Sequence, residues 1–320
     1  MDWLEKICEC PSMTRIREIG MNCGCEYTSF RRFLGIGAYS RYAHSVVVGR
    51  IVWQHTGDVR QSIAALLHDV ATPVFAHVID FMRGDHMTQE STEDRTLEII
   101  ASDPALIKIL QRLGLQPEDV CDYHLFPIAD NDTPRLSADR LEYTLGNMVN
   151  YRLATREKAE ALYSDIVAGV CEEGKPELMF RSLQAAEEFA FLSLECSKIY
   201  VSDEDRYAMQ RLAELVKKYV TGGVLSEDDL WTTEPRVIAK ITATPGGAAD
   251  WAAYRGLHEL KVYGTQAPVS DAAARCINAK KRHINPYVQG LGRVTDLSPA
   301  YRDALQAYLD KPFDYWIAAR

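Results

Sequence analysis

A histidine and an aspartate stand side by side at the end of an apolar run, in the stretch Ala65-Leu66-Leu67-His68-Asp69. The core of a protein would ordinarily continue at this point, and polar groups placed near a core need partners. Imidazole nitrogens and carboxylate oxygens are also common ligands of divalent metal ions. His68 and Asp69 therefore predict a metal site, which requires further donors from other segments.

One further donor, His44, stands on the helix predicted before this pair. That helix begins near Ser40, and the apolar residues after His44 recur at helical spacing. The short turn 55–58 makes the helix antiparallel to the next one, which ends at His68. The start of one helix therefore lies beside the end of the other, and we expect His44 to approach His68.

A later predicted helix, within 137–154, carries a polar arc opposite its apolar stripe. That arc contains Asp139, Arg140, Tyr143 and Asn147. A solvated outer face would explain the arc taken alone, but the histidines and aspartate upstream favour a metal ligand at Asp139. The expected ligands of one divalent ion (Mn, Fe, Ni, Zn or Mg) are therefore His44, His68, Asp69 and Asp139.

Cationic and phenolic side chains accompany these ligands. A bound divalent ion lowers the pKa of water and polarises a phosphoryl oxygen, which is the chemistry of phosphate ester hydrolysis. Arg41 lies three residues before His44 and Arg140 lies next to Asp139. Both are candidate substrate-binding cations for charge on the phosphoryl oxygens, with ordinary ion pairs as the alternative. Tyr143 is the third substrate-binding candidate, for a hydrogen bond to phosphate or stacking on a sugar.

The spacing of apolar residues predicts an all-α protein with small β-hairpin elements and a mixed C-terminal portion. The expected helices begin near Ser40, run from about Asp58 to His68-Asp69 and from Thr72-Pro73 to Gly84, and lie at 90–101, 104–113, 137–154, 156–171, 184–197, 203–219 and from Pro299 onward. Residues 173–180 are typical of a hairpin and 258–264 of a strand. The Pro- and Gly-containing segment 243–250 predicts a joint between a helical body, 1–240, and a C-terminal accessory region, 241–320.

Composition narrows the classes of protein to which the chain can belong. Of 320 residues, 47% are hydrophobic and 25% charged, as in soluble globular proteins. No stretch approaches the ~18 consecutive apolar residues of a membrane span, and the N-terminus lacks the pattern of a signal peptide, so we expect a cytoplasmic protein. The net charge of -9 argues against a protein that wraps nucleic acid. The basic segment 279–288, AKKRHINPYV, could contact phosphates, but a solvated patch or an allosteric ligand contact is the more usual interpretation.

Eight cysteines are spread unevenly along the chain, which is typical of reduced thiols rather than of a disulfide framework. The pairs Cys8/Cys10 and Cys23/Cys25 could together offer four thiolates to zinc. Their C-x-C spacing is narrower than the C-x2-C of most structural zinc sites. Free thiols are therefore the favoured interpretation.

The ordered set His44, His68-Asp69 and Asp139 resembles the H...HD...D signature of the HD superfamily of metal-dependent phosphohydrolases. The segments SRYAHSVVVG, LLHDVATPVFAHVID and ADRLEYTLGN resemble three motifs of its deoxynucleoside triphosphate triphosphohydrolase (dGTPase-like) branch, and MTRIREIGMNCG resembles an upstream motif of that branch. The resemblance covers about residues 13–220. It implies a helical HD-domain bundle, a divalent metal, a nucleotide or phosphate-ester substrate and assembly into oligomers.

The resemblance also implies catalytic roles for residues near the histidine-aspartate pair. Asp80 matches an acidic position that assists catalysis in the triphosphohydrolase branch, and His86 matches a histidine there. His77 shares a helix face with Asp80, and a hydrogen-bonded core histidine is its alternative interpretation. Where the branch has Gly-His after H-D-x, this chain has Ala71-Thr72, so a histidine that contacts the phosphate chain is replaced.

The spacing also permits a second metal, because His86 and His124 lie between Asp69 and Asp139, as second-metal histidines do in binuclear HD proteins. The leading interpretation is a metal-dependent phosphohydrolase that hydrolyses a nucleotide or related phosphate ester by metal-activated water. The alternatives are a nucleotide-binding regulatory HD module without turnover, and a binuclear HD hydrolase or oxygenase.

Overall fold

The computed structural model of the protein describes residues 2–36, 38–84, 87 and 95–320. This part of the chain is mostly helical and contains two small sheets, so the expected predominance of helix is confirmed. The α-helices are α1 (Asp2–Cys8), α2 (Pro11–Arg15), α3 (Arg41–Thr56), α4 (Val59–Leu67), α5 (Val78–Arg83), α6 (Thr96–Ala101), α7 (Pro104–Arg112), α8 (Ala138–Asn150), α9 (Arg156–Ser164), α10 (Leu183–Tyr200), α11 (Asp203–Thr221), α12 (Glu234–Thr242), α13 (Gly247–Arg255), α14 (Val294–Leu297) and α15 (Pro299–Asp310). The strands are β1 (Ile166–Val170), β2 (Pro176–Phe180), β3 (Leu260–Val262), β4 (Arg275–Cys276), β5 (Tyr287–Val288), β6 (Gly292–Arg293) and β7 (Trp316–Ala319).

Helices α3 and α4 form the antiparallel pair that the sequence predicts. The Ser40 hydroxyl accepts a hydrogen bond from the Ala43 N–H and begins α3, and Gly57, with φ 65°, ends it. The Asp58 carboxylate then accepts hydrogen bonds from two N–H groups in the first turn of α4. At Gly49 the helices are so close that a Cβ there would lie 3.0 Å from Leu66 Cβ. This close packing brings the start of α3 beside the end of α4.

The segment after α4 is not the helix that the sequence predicts from Thr72-Pro73. Helix α5 begins only at Val78, because Phe75 and Ala76 have positive φ angles, 59° and 48°, which a right-handed helix cannot contain. The Thr72 hydroxyl donates to Asp69 Oδ1 at 2.7 Å instead of capping a helix. The prediction that this helix stops at Gly84 is confirmed, since Gly84 has φ 82° and follows the last residue of α5.

The middle of the chain contains a strand where the sequence predicts helix. Helix α9 ends at Ser164, and Ile166–Val170 form β1, so the predicted helix over 156–171 is wrong over 165–171, nearly two turns. β1 pairs antiparallel with β2, which lies in the predicted hairpin segment 173–180. β2 also pairs with β5 in the sheet order β1-β2-β5-β6. The sheet therefore joins the C-terminal region to the middle of the chain.

Residues after 240 continue the helical packing before they form short strands. The segment 243–250, predicted as a joint between domains, contains the turn between α12 and α13. The predicted strand at 258–264 contains β3, which joins a second sheet of order β3-β7-β4. The predicted final helix is confirmed as α15, which the Ser298 side chain caps. The division at residue 240 itself stays a prediction.

A buried arginine fastens the C-terminal region to helix α11. Arg206 is fully buried; its guanidinium pairs with Asp203 at 2.6 Å, donates to the Ile277 carbonyl and lies 4.5 Å from the ring centre of Phe313. A buried guanidinium keeps this arrangement because each lost partner would leave its charge unsolvated. None of the described helices combines the length and the apolar character that a bilayer crossing needs.

Candidate metal centre

Three of the four predicted ligands present donor atoms to one point. His44 Nε2 lies 3.1 Å from His68 Nε2 and 3.0 Å from Asp139 Oδ1, and His68 Nε2 lies 3.7 Å from the same oxygen. These atoms come from α3, the end of α4 and α8, and both imidazoles are buried. In the part of the chain that the structure describes, this is the one group of three His, Cys, Asp or Glu donors compact enough for a metal ion.

The outer nitrogens of both imidazoles are held by acceptors. His68 Nδ1 lies 2.7 Å from the Ala65 carbonyl oxygen, and His44 Nδ1 contacts Glu142 Oε2. Each Nδ1 therefore carries a hydrogen, so in the neutral rings each Nε2 turns a lone pair toward the Asp139 carboxylate. Acceptors that converge in this way repel one another unless a cation or proton lies among them, so the donor set fits a divalent metal.

The fourth predicted ligand, Asp69, adjoins this group. Its Oδ2 lies 3.4 Å from His68 Nε2 and 3.8 Å from His44 Nε2. The same carboxylate accepts hydrogen bonds from Arg41 Nη1, at 3.2 Å, and from the Thr72 hydroxyl. The structure therefore brings all four predicted ligands together, with Asp69 oriented by two donors.

Charge within the group keeps its carboxylates ionised. Burial raises the pKa of Asp69, but the Arg41 guanidinium and the two imidazoles hold that pKa well below its usual range. Burial also opposes ionisation of Asp139, yet the hydrogen bond and charge of His44 lower its pKa to about 2. Burial lowers the pKa of His44, and Glu142 and Asp139 outweigh this and raise it to about 10. Without a metal, His44 therefore holds a second proton at neutral pH.

Glu142 is a functional candidate that the sequence analysis did not assign. Its Oε2 accepts from His44 Nδ1 and from the Tyr39 hydroxyl, and its side chain is only 9% exposed. A carboxylate in this position fixes the ring orientation and raises the basicity of the ligand nitrogen. The signal was its position three residues after Asp139, on the same face of α8.

The two predicted substrate-binding arginines line the cleft and also form ion pairs. Arg41 is paired with Asp69, and although burial lowers its pKa, Asp69 raises that pKa above the usual range. Arg140 Nη2 lies 3.3 Å from Asp130, and its Nη1 donates to Asn131 at 2.7 Å. The ion-pair interpretation therefore describes contacts in the structure, and substrate binding by these arginines stays a prediction.

Two of the three predicted catalytic residues, His77 and Asp80, lie within the described part of the chain. His77 Nδ1 lies 2.9 Å from Asp80 Oδ2, and Asp80 is fully buried. Burial, above all, lowers the pKa of His77, so the ring is neutral at physiological pH. His86 lies outside the described residues. His124 lines the cleft, and its Nδ1 is 2.8 Å from Asp130. The second-metal site through His86 and His124 stays a prediction.

The cysteine pairs do not form a zinc cluster among the described residues. Cys8, Cys10, Cys23 and Cys25 are buried free thiols. Burial raises the pKa of Cys10 to about 11 and that of Cys23 to about 12, so both remain protonated. The free-thiol interpretation agrees with this burial and with these raised pKa values.

A cleft of about 940 Å³ surrounds the predicted metal ligands, and this volume is within the range of small-molecule sites. Beyond the ligands, aromatic and amide side chains line it: Asn22, Tyr143, Asn147, Tyr151 and Tyr200. Asn147 Nδ2 donates to the Tyr200 hydroxyl, and the buried Asn147 Oδ1 has no hydrogen-bond partner among the described residues. Residues 279–283 of the C-terminal region form another wall.

The sequence matches no protein-family model. An uncharacterized protein of Bacillus subtilis is 27% identical over 208 residues, which cover 64% of this chain and 62% of that relative, so the chain spans about three fifths of the relative's length. A protein of Cordyceps militaris named metal-dependent phosphohydrolase is 26% identical over 268 residues, 80% of this chain and 73% of the relative.

Two crystal structures share the fold over almost the whole chain. A hypothetical protein from Aquifex aeolicus superposes with a TM-score of 0.64 at 16% identity, covering 99% of this chain and 92% of that structure. A phosphohydrolase from Bacteroides thetaiotaomicron superposes with a TM-score of 0.65 at 12% identity, covering 99% and 95%. At these identities the likeness establishes a common fold.

Proposed function

We propose that the protein is a metal-dependent phosphohydrolase of the HD type that acts on a nucleotide or related phosphate ester. The observation that carries the proposal is the convergence of His44 Nε2, His68 Nε2 and Asp139 Oδ1 beside Asp69. The names of the Cordyceps militaris relative and the Bacteroides thetaiotaomicron structure support the same class of reaction. His44, His68, Asp69 and Asp139 would hold the ion, and when bound it supplies a Lewis acid that acidifies water and polarises a phosphoryl oxygen.

The residues around the predicted ligands would orient those ligands, bind phosphate and accept a proton. Glu142 and the Ala65 carbonyl orient the two imidazoles, and Arg41 and Thr72 orient Asp69. We assign phosphate contacts to Arg140 and to Tyr143, which both line the cleft. Because Asp80 accepts the Nδ1 hydrogen of His77, the Nε2 of that ring is able to accept a proton at the cleft.

The triphosphohydrolase branch is the finer part of the proposal, and its support is mixed. The aromatic and amide lining of the cleft suits a sugar and base, as in a nucleotide. Thr72, however, stands where that branch has a histidine, and its hydroxyl is used by Asp69. That departure is what favours the alternative, a nucleotide-binding regulatory module without turnover.

A nucleotide panel separates the enzyme from the regulatory module. The Mn²⁺-loaded protein is incubated with nucleoside mono-, tri- and cyclic phosphates. Phosphate, pyrophosphate, triphosphate, nucleosides and nucleoside mono- and diphosphates are then quantified as products. We expect the wild type to turn over a nucleotide. Asp69→Asn should lose both the metal and the turnover, whereas Arg140→Ala should keep the metal and lose the turnover. Binding of nucleotides to the metal-loaded protein without any product would refute the enzyme and support the regulatory module.

A further inference from the structure

The basic segment Ala279–His283, of sequence AKKRH, lies along the wall of the cleft that contains the metal ligands. It lies between β4 and β5 and has no regular secondary structure. The sequence allows three interpretations of this segment: a nucleic-acid contact, a solvated patch or an allosteric ligand contact. Its location in the cleft favours the contact to a ligand.

Helix α15 holds the backbone of this segment in place. The Tyr308 hydroxyl donates to the Arg282 carbonyl at 3.2 Å, and the Tyr301 hydroxyl donates to the Ile284 carbonyl at 2.5 Å. Lys281 turns to the end of α15, where its ammonium donates to the Lys311 carbonyl at 2.6 Å. The ammonium of Lys281 therefore binds backbone carbonyls at the end of α15. Together these contacts fix the backbone at Arg282.

The Arg282 side chain reaches across the cleft to His77. Its Nη2 lies 3.3 Å from His77 Nε2, the ring nitrogen that is left as an acceptor because Nδ1 donates to Asp80. Burial raises the pKa of Tyr143, and the charge of Arg282 is the largest influence that lowers it. Arg282 therefore places a positive charge near α8 as well as beside α5.

Among the described residues, the contact of Arg282 to His77 differs in kind from those of Arg41 and Arg140. Arg41 is paired with the carboxylate of Asp69, and Arg140 with that of Asp130. His77 is a neutral ring, and a phosphate oxygen is a much stronger acceptor for a guanidinium than a neutral imidazole nitrogen. A substrate phosphate can therefore replace His77 as the acceptor at Nη2 and release the Nε2 of that ring.

We propose that Arg282, supplied by the C-terminal region, binds an anionic phosphate group of the substrate beside His77. The inference rests on the proposed function for the identity of the ligand. It adds a substrate-binding residue outside residues 13–220, the part of the chain that resembles the triphosphohydrolases. It also explains why a basic segment is fastened to the wall of the cleft of an acidic protein.

Binding of an inert anion tests Arg282 without relying on turnover. Calorimetry would measure the Kd of inorganic pyrophosphate at a fixed free Mg²⁺ concentration, for the wild type, Arg282→Gln, Arg282→Lys and the control Arg302→Gln. Arg302 is an exposed arginine on α15, with a side chain that is 56% exposed. We expect Arg282→Gln to weaken binding ~10- to 100-fold, since a charge-assisted hydrogen bond is lost. Arg282→Lys should recover most of the affinity, and Arg302→Gln should match the wild type.

Two further readouts separate this inference from the proposed function. Metal content and melting temperature should be unchanged in Arg282→Gln, because the guanidinium reaches His77 rather than a predicted metal ligand. The salt dependence of pyrophosphate binding should become shallower. Pyrophosphate affinity that is equal in Arg282→Gln and wild type, or absent in both, overturns the inference. If pyrophosphate binding depends on Arg282 but no nucleotide is hydrolysed, the proposed function fails and the anion site stands.

Discussion

Metal binding should release about one proton from the protein, and His44 should be its source. In the metal-free protein the pKa of His44 is raised to about 10, so its Nε2 is protonated at pH 8. A ligand nitrogen must lose this proton before it binds a metal. Asp139, with a pKa of about 2, and Asp69, whose pKa is well below its usual range, are already ionised and contribute none.

The size of the effect follows from the distance between the pKa and the working pH. At pH 7.5–8.5 the pKa of about 10 keeps His44 almost fully protonated, so the Kd for Mn²⁺ should fall ~10-fold for each unit of rising pH. Glu142 is the strongest influence that raises this pKa against the opposing effect of burial. In Glu142→Gln the pKa of His44 should drop, so fewer protons are released and the pH dependence is shallower.

Calorimetric titration with Mn²⁺ in two buffers of different ionisation enthalpy measures the number of protons released. Tyr39→Phe is the matched control, since Tyr39 shares Glu142 with His44 but its removal leaves the carboxylate in place. We expect about one proton for the wild type and Tyr39→Phe, and less for Glu142→Gln. A release near zero in the wild type would mean that His44 is not a protonated ligand, and equal release in Glu142→Gln would remove the role given to that carboxylate.

Two other predictions follow from the same helices. The free energy of unfolding of the metal-free protein should fall as pH rises from 6.5 toward 10. The reason is that the pKa of His44 is about 10 in the folded protein and 6.5 in the unfolded chain. Protonated His44 therefore stabilises the fold fully below pH 6.5, and this stabilisation is lost as pH rises through about 10. Urea unfolding at pH 6.5 and 9.5 measures it, and His44→Gln should lack this component. Gly49→Ala should lower stability by ~1–3 kcal/mol and weaken Mn²⁺ binding, because its Cβ would press on Leu66 and separate α3 from α4. Val47→Ala, on the exposed side of α3, is its control, and equal melting temperatures for the two variants would contradict the packing argument.

The sequence predicted best those elements whose ends are determined by local chemistry. Ser40, Asp58 and Gly84 mark helix ends because their hydrogen bonds or φ angles involve only neighbouring residues. The expected ligands converge because His44 and His68 stand at adjoining ends of two antiparallel helices. Periodicity and capping residues together were therefore enough to place these two histidines.

Other features depend on contacts that no short stretch of sequence reveals. Phe75 and Ala76 adopt positive φ angles although neither is glycine, so nothing local announces the break before α5. The sequence predicts helix where β1 lies, because the five strand residues are stabilised by pairing with β2, outside that stretch. Glu142 was visible in the sequence, but its role requires the neighbouring helix that carries His44.

The C-terminal region contributes a cation to the cleft that contains the predicted metal ligands. Arg41 forms an ion pair with Asp69, so the positive charge of Arg41 lies beside the predicted metal ligands. Thr72 provides a hydroxyl where the triphosphohydrolase resemblance leads one to expect an imidazole, and that hydroxyl also serves Asp69. Under the proposed function, a phosphate that extends beyond the metal would be bound by other groups, and Arg282 is a cation that the fold brings to His77. A region predicted as accessory therefore supplies a side chain to the cleft, wherever the domain boundary lies.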